Sequence, residues 1–419
     1  MKKTIILALL AVIARPASAS AQFELEGLSA ADLKVIQADA AVPLPAQTPA
    51  EKLKLGIVSK AERDEYVTRA SLWRPESSLN VPAMDFKVGP YEKMKYAPEE
   101  LVTCSYVPMK EAYESGKPNG MSPKFKCRDA KGKEFKVKYG GGEVMAEVAA
   151  SWVLTAMGSY SDRMYPVRLN CPDCPSDPFK SEKDRGAWKQ GQQVTIEDKI
   201  GERIEFKPNT GIGFDEFHNL PDRVEAEALS GMAQFLSNSD NKAPNQAIAC
   251  QKKDVAAGAS GKAVCTNPVV LLQDMGISFG GRGIYHNSRM NFEKWAKEKM
   301  WDDPRACIMH LNSTHTSSLT GIDSTGRDLH QIGEKARQMM LSRLSMLSRA
   351  QLIDIFTAAR APLREPNHTA EEWADLFLSK VEKLRKPLGD KTKPDFACPY
   401  EVVPPNSAQP VENPFFSSN

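Results

Sequence analysis

The sequence predicts an α+β chain of two lobes, a small antiparallel-sheet lobe carrying one helix and a larger, mainly helical lobe. Three observations predict it. Short runs with strand-like alternation, separated by Gly, Pro, Asn and Asp turns, fill residues 100–200 around one helical stretch. Beyond residue 200 apolar side chains recur at three- and four-residue spacing, as on a buried helix face. Between two such stretches lies the run Pro268-Val-Val-Leu-Leu272, of strand length and in need of burial on both faces.

The first 21 residues read as a secretory signal peptide. Lys2 and Lys3 precede an apolar segment, Thr4 to Ile13, too short to span a bilayer, and Ala17, Ala19 and Ala21 offer small-residue cleavage positions. The chain is therefore expected to be exported, periplasmic or secreted, with no membrane span in its mature part. Without that segment, 52 basic side chains face 53 acidic ones, a balance that speaks against a nucleic-acid partner or a polybasic membrane tail.

Residues 22–95, polar and interrupted by proline, read as an N-terminal extension with one amphipathic helix near Ala30 to Ala40. The sheet-rich lobe then covers 96–200. Its expected strands are Leu101 to Val107, Lys124 to Arg128 and Glu134 to Tyr139, with turns at Gly116 to Gly120 and Asp129 to Gly132. The helix follows, with Met145, Ala149, Trp152 and Ala156 on one face and Glu147 beside Val144, Val148 and Ser151. Tyr165 to Leu169 and Val194 to Ile200 are two further strands.

The helical lobe is placed at 201–400. One stripe runs Val224, Ala228, Met232, Phe235, Leu236; a second Ile332, Ala336, Met340, Leu344, Leu347; a third Trp373, Phe377, Val381, Leu384. Residues 401–419 have the composition of a disordered tail.

All eight cysteines lie beyond the leader, and an oxidising compartment favours their pairing. Spacing suggests Cys104–Cys127, Cys171–Cys174, Cys250–Cys265 and Cys307–Cys398. Cys171-Pro-Asp-Cys174 has two other readings, a redox motif or half of a metal site, although no second C-x-x-C accompanies it.

The chemistry concentrates in "SNSDNKAPNQAIAC", Ser237 to Cys250. A helix ends before it and a strand begins at Gln246, so Asp240 and Asn245 are presented on a loop held at both ends. The run from Pro268 leads into Asp274-Met-Gly276. Taken singly, Asp240 and Asp274 are ordinary turn residues, and Lys138 on an alternating strand is an ordinary solvated lysine. Their order is what distinguishes them: lysine on a strand, acid on the next helix, D-x-x-x-x-N after a helix, D-x-G after a buried strand.

In that order the sequence resembles the protein-kinase-like superfamily over roughly residues 100–385, nearer its phosphoinositide-kinase-like and HipA-like branches than ordinary serine/threonine kinases. It is also similar to a group of exported bacterial proteins that share the D-N-K-x-x-N-Q loop. The resemblance implies a bilobal kinase-like fold and a phosphotransferase using Mg²⁺ and ATP or another nucleotide, on an unknown protein or small-molecule acceptor. It implies Asp240 as catalytic base with Lys242 beside it, and Asn245 and Asp274 as metal ligands. Lys138 would touch the phosphates and Glu147 pair with it, while Glu197 belongs to the strand-to-hinge segment beside the adenine. Lys136 shares the strand face of Lys138 and leaves that assignment open.

The departures are Ser239 before the base, Met275 in place of the Phe of D-F-G, a long interval from Asn245 to Asp274, and no G-x-G-x-x-G near Gly116. Because a periplasm holds little ATP, a secreted pseudokinase that binds a protein or ligand stands as the alternative. No H-E-x-x-H or G-x-S-x-G accompanies His218, His286, His310, His315, His330 or His368, which removes the metalloprotease and serine-hydrolase readings.

Overall fold

The structure, a computed structural model, describes residues 54–109, 122–178, 180, 186–258, 261–281, 290–304, 306–311, 318–324, 326 and 328–385. The expected leader, the helix near Ala30, the turn at Gly116 to Gly120, Cys398 and the tail lie outside the described residues.

In chain order the elements that position the site are α1 (Lys60–Thr68), β1 (Leu101–Thr103), β2 (Ser105–Val107), β3 (Lys124–Arg128), β4 (Glu134–Lys138), α2 (Gly142–Ala156), β5 (Tyr160–Ser161), β6 (Arg163–Asn170), β7 (Gln192–Asp198) and β8 (Gly201–Arg203). Then come α3 (Arg223–Phe235), β9 (Gln246–Gln251), β10 (Val255–Ala257), β11 (Ala263–Cys265), β12 (Pro268–Leu272), α4 (Phe292–Lys297), α5 (Glu334–Leu344), α6 (Arg349–Ala358) and α7 (Ala370–Arg385). Antiparallel-rich sheets with several helices make this an α+β protein, compatible with a bilobal kinase-like fold.

The chain divides into two compact units, one holding residues 99–139 and 167–196, the other 48–98, 140–166 and the residues from 197 onward. The first carries a six-stranded sheet in the order β1-β6-β7-β4-β3-β2. The meander β2-β3-β4 is antiparallel and β1 joins β6 in parallel. Alternation on β3 and β4 buries Phe125, Cys127, Phe135 and Val137 on one face. Trp188 closes that core, its ring edge-on to Phe125 and Tyr139 at 5.4 and 5.0 Å.

The second unit holds a four-stranded sheet in the order β5-β12-β9-β8. All five residues of β12 are buried, as an apolar run with no polar alternation requires. The 54–98 segment contributes Leu72, Trp73, Val81 and Phe86 to this unit's core, and Ser71 bridges to Val269. Arg63 on α1, 3% exposed, pairs with Glu216 at 2.6 Å and donates to the Gly211 carbonyl at 2.8 Å.

Disulfides join Cys104–Cys127, Cys171–Cys174 and Cys250–Cys265. The last staples the start of the β10–β11 hairpin, where Val255 pairs with Cys265. Among the described residues no helix is long and apolar enough to cross a membrane.

Helices α5, α6 and α7 pack with α3 and α4 around Phe279, Trp295, Phe356 and Trp373. Lys380 on α7 enters this core, 2% exposed, with Nζ 5.2 Å from the Trp295 ring and donating to the Glu298 carbonyl at 3.2 Å. Burial pushes its pKa down to about 8. The unfolded chain therefore holds the extra proton between about pH 8 and 10.5, and stability must rise with pH across that window. Lys380→Met is expected to raise stability at pH 7, by up to about 3 kcal/mol, and to flatten that rise. Urea melts of both chains at pH 7 and pH 10 measure it.

Candidate functional site

The antiparallel register of β9 and β12 decides where the loop residues fall. Gln246 faces Leu272, so β9 starts where β12 ends. Asn245 and Asp274 thus leave the same end of one ladder, and the Gln273 N–H donates to the Asn245 carbonyl at 2.8 Å. The two motifs, 29 residues apart in the chain, are neighbours because the intervening hairpin returns the chain to its own starting point.

Further bonds sew the two loops together. Ser239 N–H donates to the Ile277 carbonyl at 3.0 Å, Phe279 N–H to that of Leu236 at 2.7 Å, and Asn238 Nδ2 to Met275 Sδ at 3.2 Å. Asn241 is held from outside, its carbonyl accepting from Ser318 Oγ at 2.5 Å. Gly211, at φ +61°, lets Ile212 N–H reach the Ala243 and Gln246 carbonyls; a Cβ there would sit 1.9 Å from the Ala243 oxygen.

Within the loop, Asp240 is the hub. Lys242 Nζ donates to both of its carboxylate oxygens, at 2.8 and 2.7 Å. Asn245 Nδ2 donates to the Asp240 carbonyl at 2.6 Å and to Oδ2 at 3.2 Å. That orientation commits the amide nitrogen inward and leaves Oδ1 as the atom of Asn245 suited to a cation. Asn245 is buried, Asp240 is partly exposed and Asp274 is exposed.

Asp274 has φ +52°, the left-handed region that Asp and Asn tolerate better than other side chains. Such conformations collect where a loop must aim a side chain against local preference. Two residues on, Gly276 lies against α2: a Cβ would come within 2.2 Å of Glu143 Cγ. Glu143 is one turn before Glu147, so the Asp274 loop packs on the helix that carries Glu147. Glu147 itself is 4% exposed.

Glu197, also buried, joins the same network through side chains. Its Oε1 is 3.1 Å from Lys199 Nζ, which reaches Asp162 Oδ2 at 2.9 Å; that oxygen accepts from Gln273 Nε2 at 2.6 Å. Burial opposes the Lys199 charge, but Asp162 and Glu197 outweigh it and raise its pKa. Asp162 is a residue that sequence reading missed: it is one acid among polar neighbours, with no spacing to mark it. Lys138 is buried at the end of β4, in the first unit, while the other site residues belong to the second.

A cavity of about 440 Å³, lined among others by Arg74, Tyr160, Ser161, Arg163 and Lys253, contains none of these residues.

No family model and no curated protein matches the chain. Among solved structures it is similar to a Helicobacter pylori proinflammatory kinase, CtkA, at 10% identity and a TM-score of 0.35, over 70% of this chain and 95% of that one.

Proposed function

We propose that this chain is an exported, periplasmic or secreted kinase-like phosphotransferase that uses a Mg²⁺-nucleotide, with a protein or small-molecule acceptor. The single observation that supports it most is that the loop carrying Asp240 and Asn245 and the loop carrying Asp274 leave the same end of the β9–β12 ladder, joined by the Gln273 to Asn245 bond. The donor set fits a hard divalent cation, because the Asp274 carboxylate and the Asn245 amide oxygen are oxygen ligands of the kind Mg²⁺ takes. In this reading Asp274 and Asn245 hold the ion, which when bound neutralises phosphate charge. Asp240 receives the acceptor's proton, and Asn245 Nδ2 fixes the carboxylate's orientation. Lys138 and Glu147 serve the phosphates, and Glu197 the hinge segment beside the adenine.

A second reading has its own observation. Lys242 occupies both oxygens of Asp240, a carboxylate already paired. That favours a pseudokinase, a protein- or ligand-binding module without turnover.

A thermal melt tests the first step. With Mg²⁺ and ATP the Tm should climb as nucleotide rises above its Kd, by mass action on the folded state, and Asp274→Ala should cancel the climb. A flat response to every nucleoside triphosphate rules out the nucleotide-binding reading.

A further inference from the structure

Two of the bridges in the first unit meet. Cys104, in the kink between β1 and β2, and Cys127 on β3 form one; Cys171 and Cys174, in the loop after β6, form the other. Cys127 Sγ lies 4.0 Å from both Cys171 Sγ and Cys174 Sγ. All four sulfurs fall within 4.8 Å of one another, and all four residues are buried. A structural bridge needs only its own pair; nothing in disulfide chemistry asks two of them to share one centre.

A tetrahedral zinc does ask for it. Four thiolates at about 2.3 Å from Zn²⁺ stand about 3.8 Å apart, close to the 4.0 Å already present between the pairs. The backbone around Cys171-Pro-Asp-Cys174 is held independently of the sulfurs. Gln190 clamps Cys171, accepting from its N–H at 2.8 Å and donating to its carbonyl at 3.1 Å. Asp173 Oδ1 accepts from the Tyr106 N–H at 3.0 Å, tying the loop to β2. Outer hydrogen bonds of this kind keep a ligand loop in place when the sulfurs separate. Sequence spacing conceals the set because its second pair is not a C-x-x-C; the β2–β3 pairing, with Tyr106 opposite Cys127, brings Cys104 in.

We propose that these four cysteines are one closed zinc site with two states: two disulfides when oxidised, a zinc tetrathiolate when reduced. Opening both bridges takes four electrons and four protons from two equivalents of a dithiol, which leaves as two disulfides. The four thiols then bind one Zn²⁺ and release four protons. In either state β1, β3 and the 171–174 loop stay tied, so the sheet survives passage between a reducing and an oxidising compartment.

Cobalt(II) is the probe. The full chain, reduced with dithiothreitol and freed of it under nitrogen, should take up one Co²⁺ with the visible and charge-transfer absorption of a tetrahedral tetrathiolate, and one Zn²⁺ should displace it. Cys171→Ser with Cys174→Ser should remove that spectrum, whereas Cys250→Ser with Cys265→Ser should keep it. Where the first variant fails to fold, the chain with Cys250, Cys265, Cys307 and Cys398 all changed to Ser decides the matter, because it keeps only the four cysteines of the site. Absence of the tetrathiolate bands from the reduced chain overturns the site; cobalt uptake by the untreated chain overturns the two states.

Discussion

Asp240→Asn is expected to lower phosphoryl transfer, to water or to the chain itself, by about 10²–10⁴ while leaving the Mg²⁺-nucleotide Tm shift in place. The substitution keeps the side chain's shape, and its amide oxygen can still accept from Asn245 Nδ2. What it loses is the ability to take a proton. It also loses the charge that Lys242 now neutralises, which leaves a partly exposed ammonium and little structural cost. Turnover of labelled ATP measured beside the melt separates the roles. Turnover that persists in the variant would take the base role from Asp240, and no turnover in the unaltered chain would leave the binding-module reading standing.

How much of this was legible depends on which forces act locally. The strand at Lys124–Arg128 and the run Pro268–Leu272 could be read directly because alternation in one and unbroken apolarity in the other are properties of the segment itself. The loop between α3 and β9 was legible for the same reason, bounded by a helical stripe and a strand. Three things were not. Within residues 71–98 the buried side chains Leu72, Trp73, Val81 and Phe86 follow no repeating period, so their place in the core has no sequence signature. Helix α6 offers only one turn of apolar spacing, Leu352, Ile355 and Phe356, behind the Ser348–Gln351 capping box, too short a stripe to stand out by period alone. The approach of two disulfides depends on strand pairing, which spacing does not encode. The leader, Cys398 and the turn at Gly116 to Gly120 fall outside the described residues.

Trp373→Ala should cost about 3–5 kcal/mol of stability, and the reason reaches the site. Trp373 is fully buried, with ring centres of Phe292 at 5.1 Å, Phe356 at 5.5 Å, Trp295 at 6.0 Å and Phe279 at 6.4 Å. Four rings from three chain segments, the Phe279 loop, α4 and α6, cannot all move inward, so the deleted indole leaves a cavity rather than a collapse. Phe279 is the link to chemistry. It holds φ +55°, a conformation costly for a bulky side chain, and its N–H is bonded to the Leu236 carbonyl at the other loop. Packing against Trp295, Phe356 and Trp373 is what keeps Phe279 there, and Phe279 in turn closes the loop that starts at Asp274. Urea melts should show a lower midpoint at unchanged slope. Under conditions where the variant remains folded, nucleotide should bind more weakly than to the unaltered chain, because the aromatic core no longer fixes the far end of the Asp274 loop. A stability loss with unaltered nucleotide affinity would separate the core from the site and place the loop's rigidity entirely in its hydrogen bonds to residues 236–245.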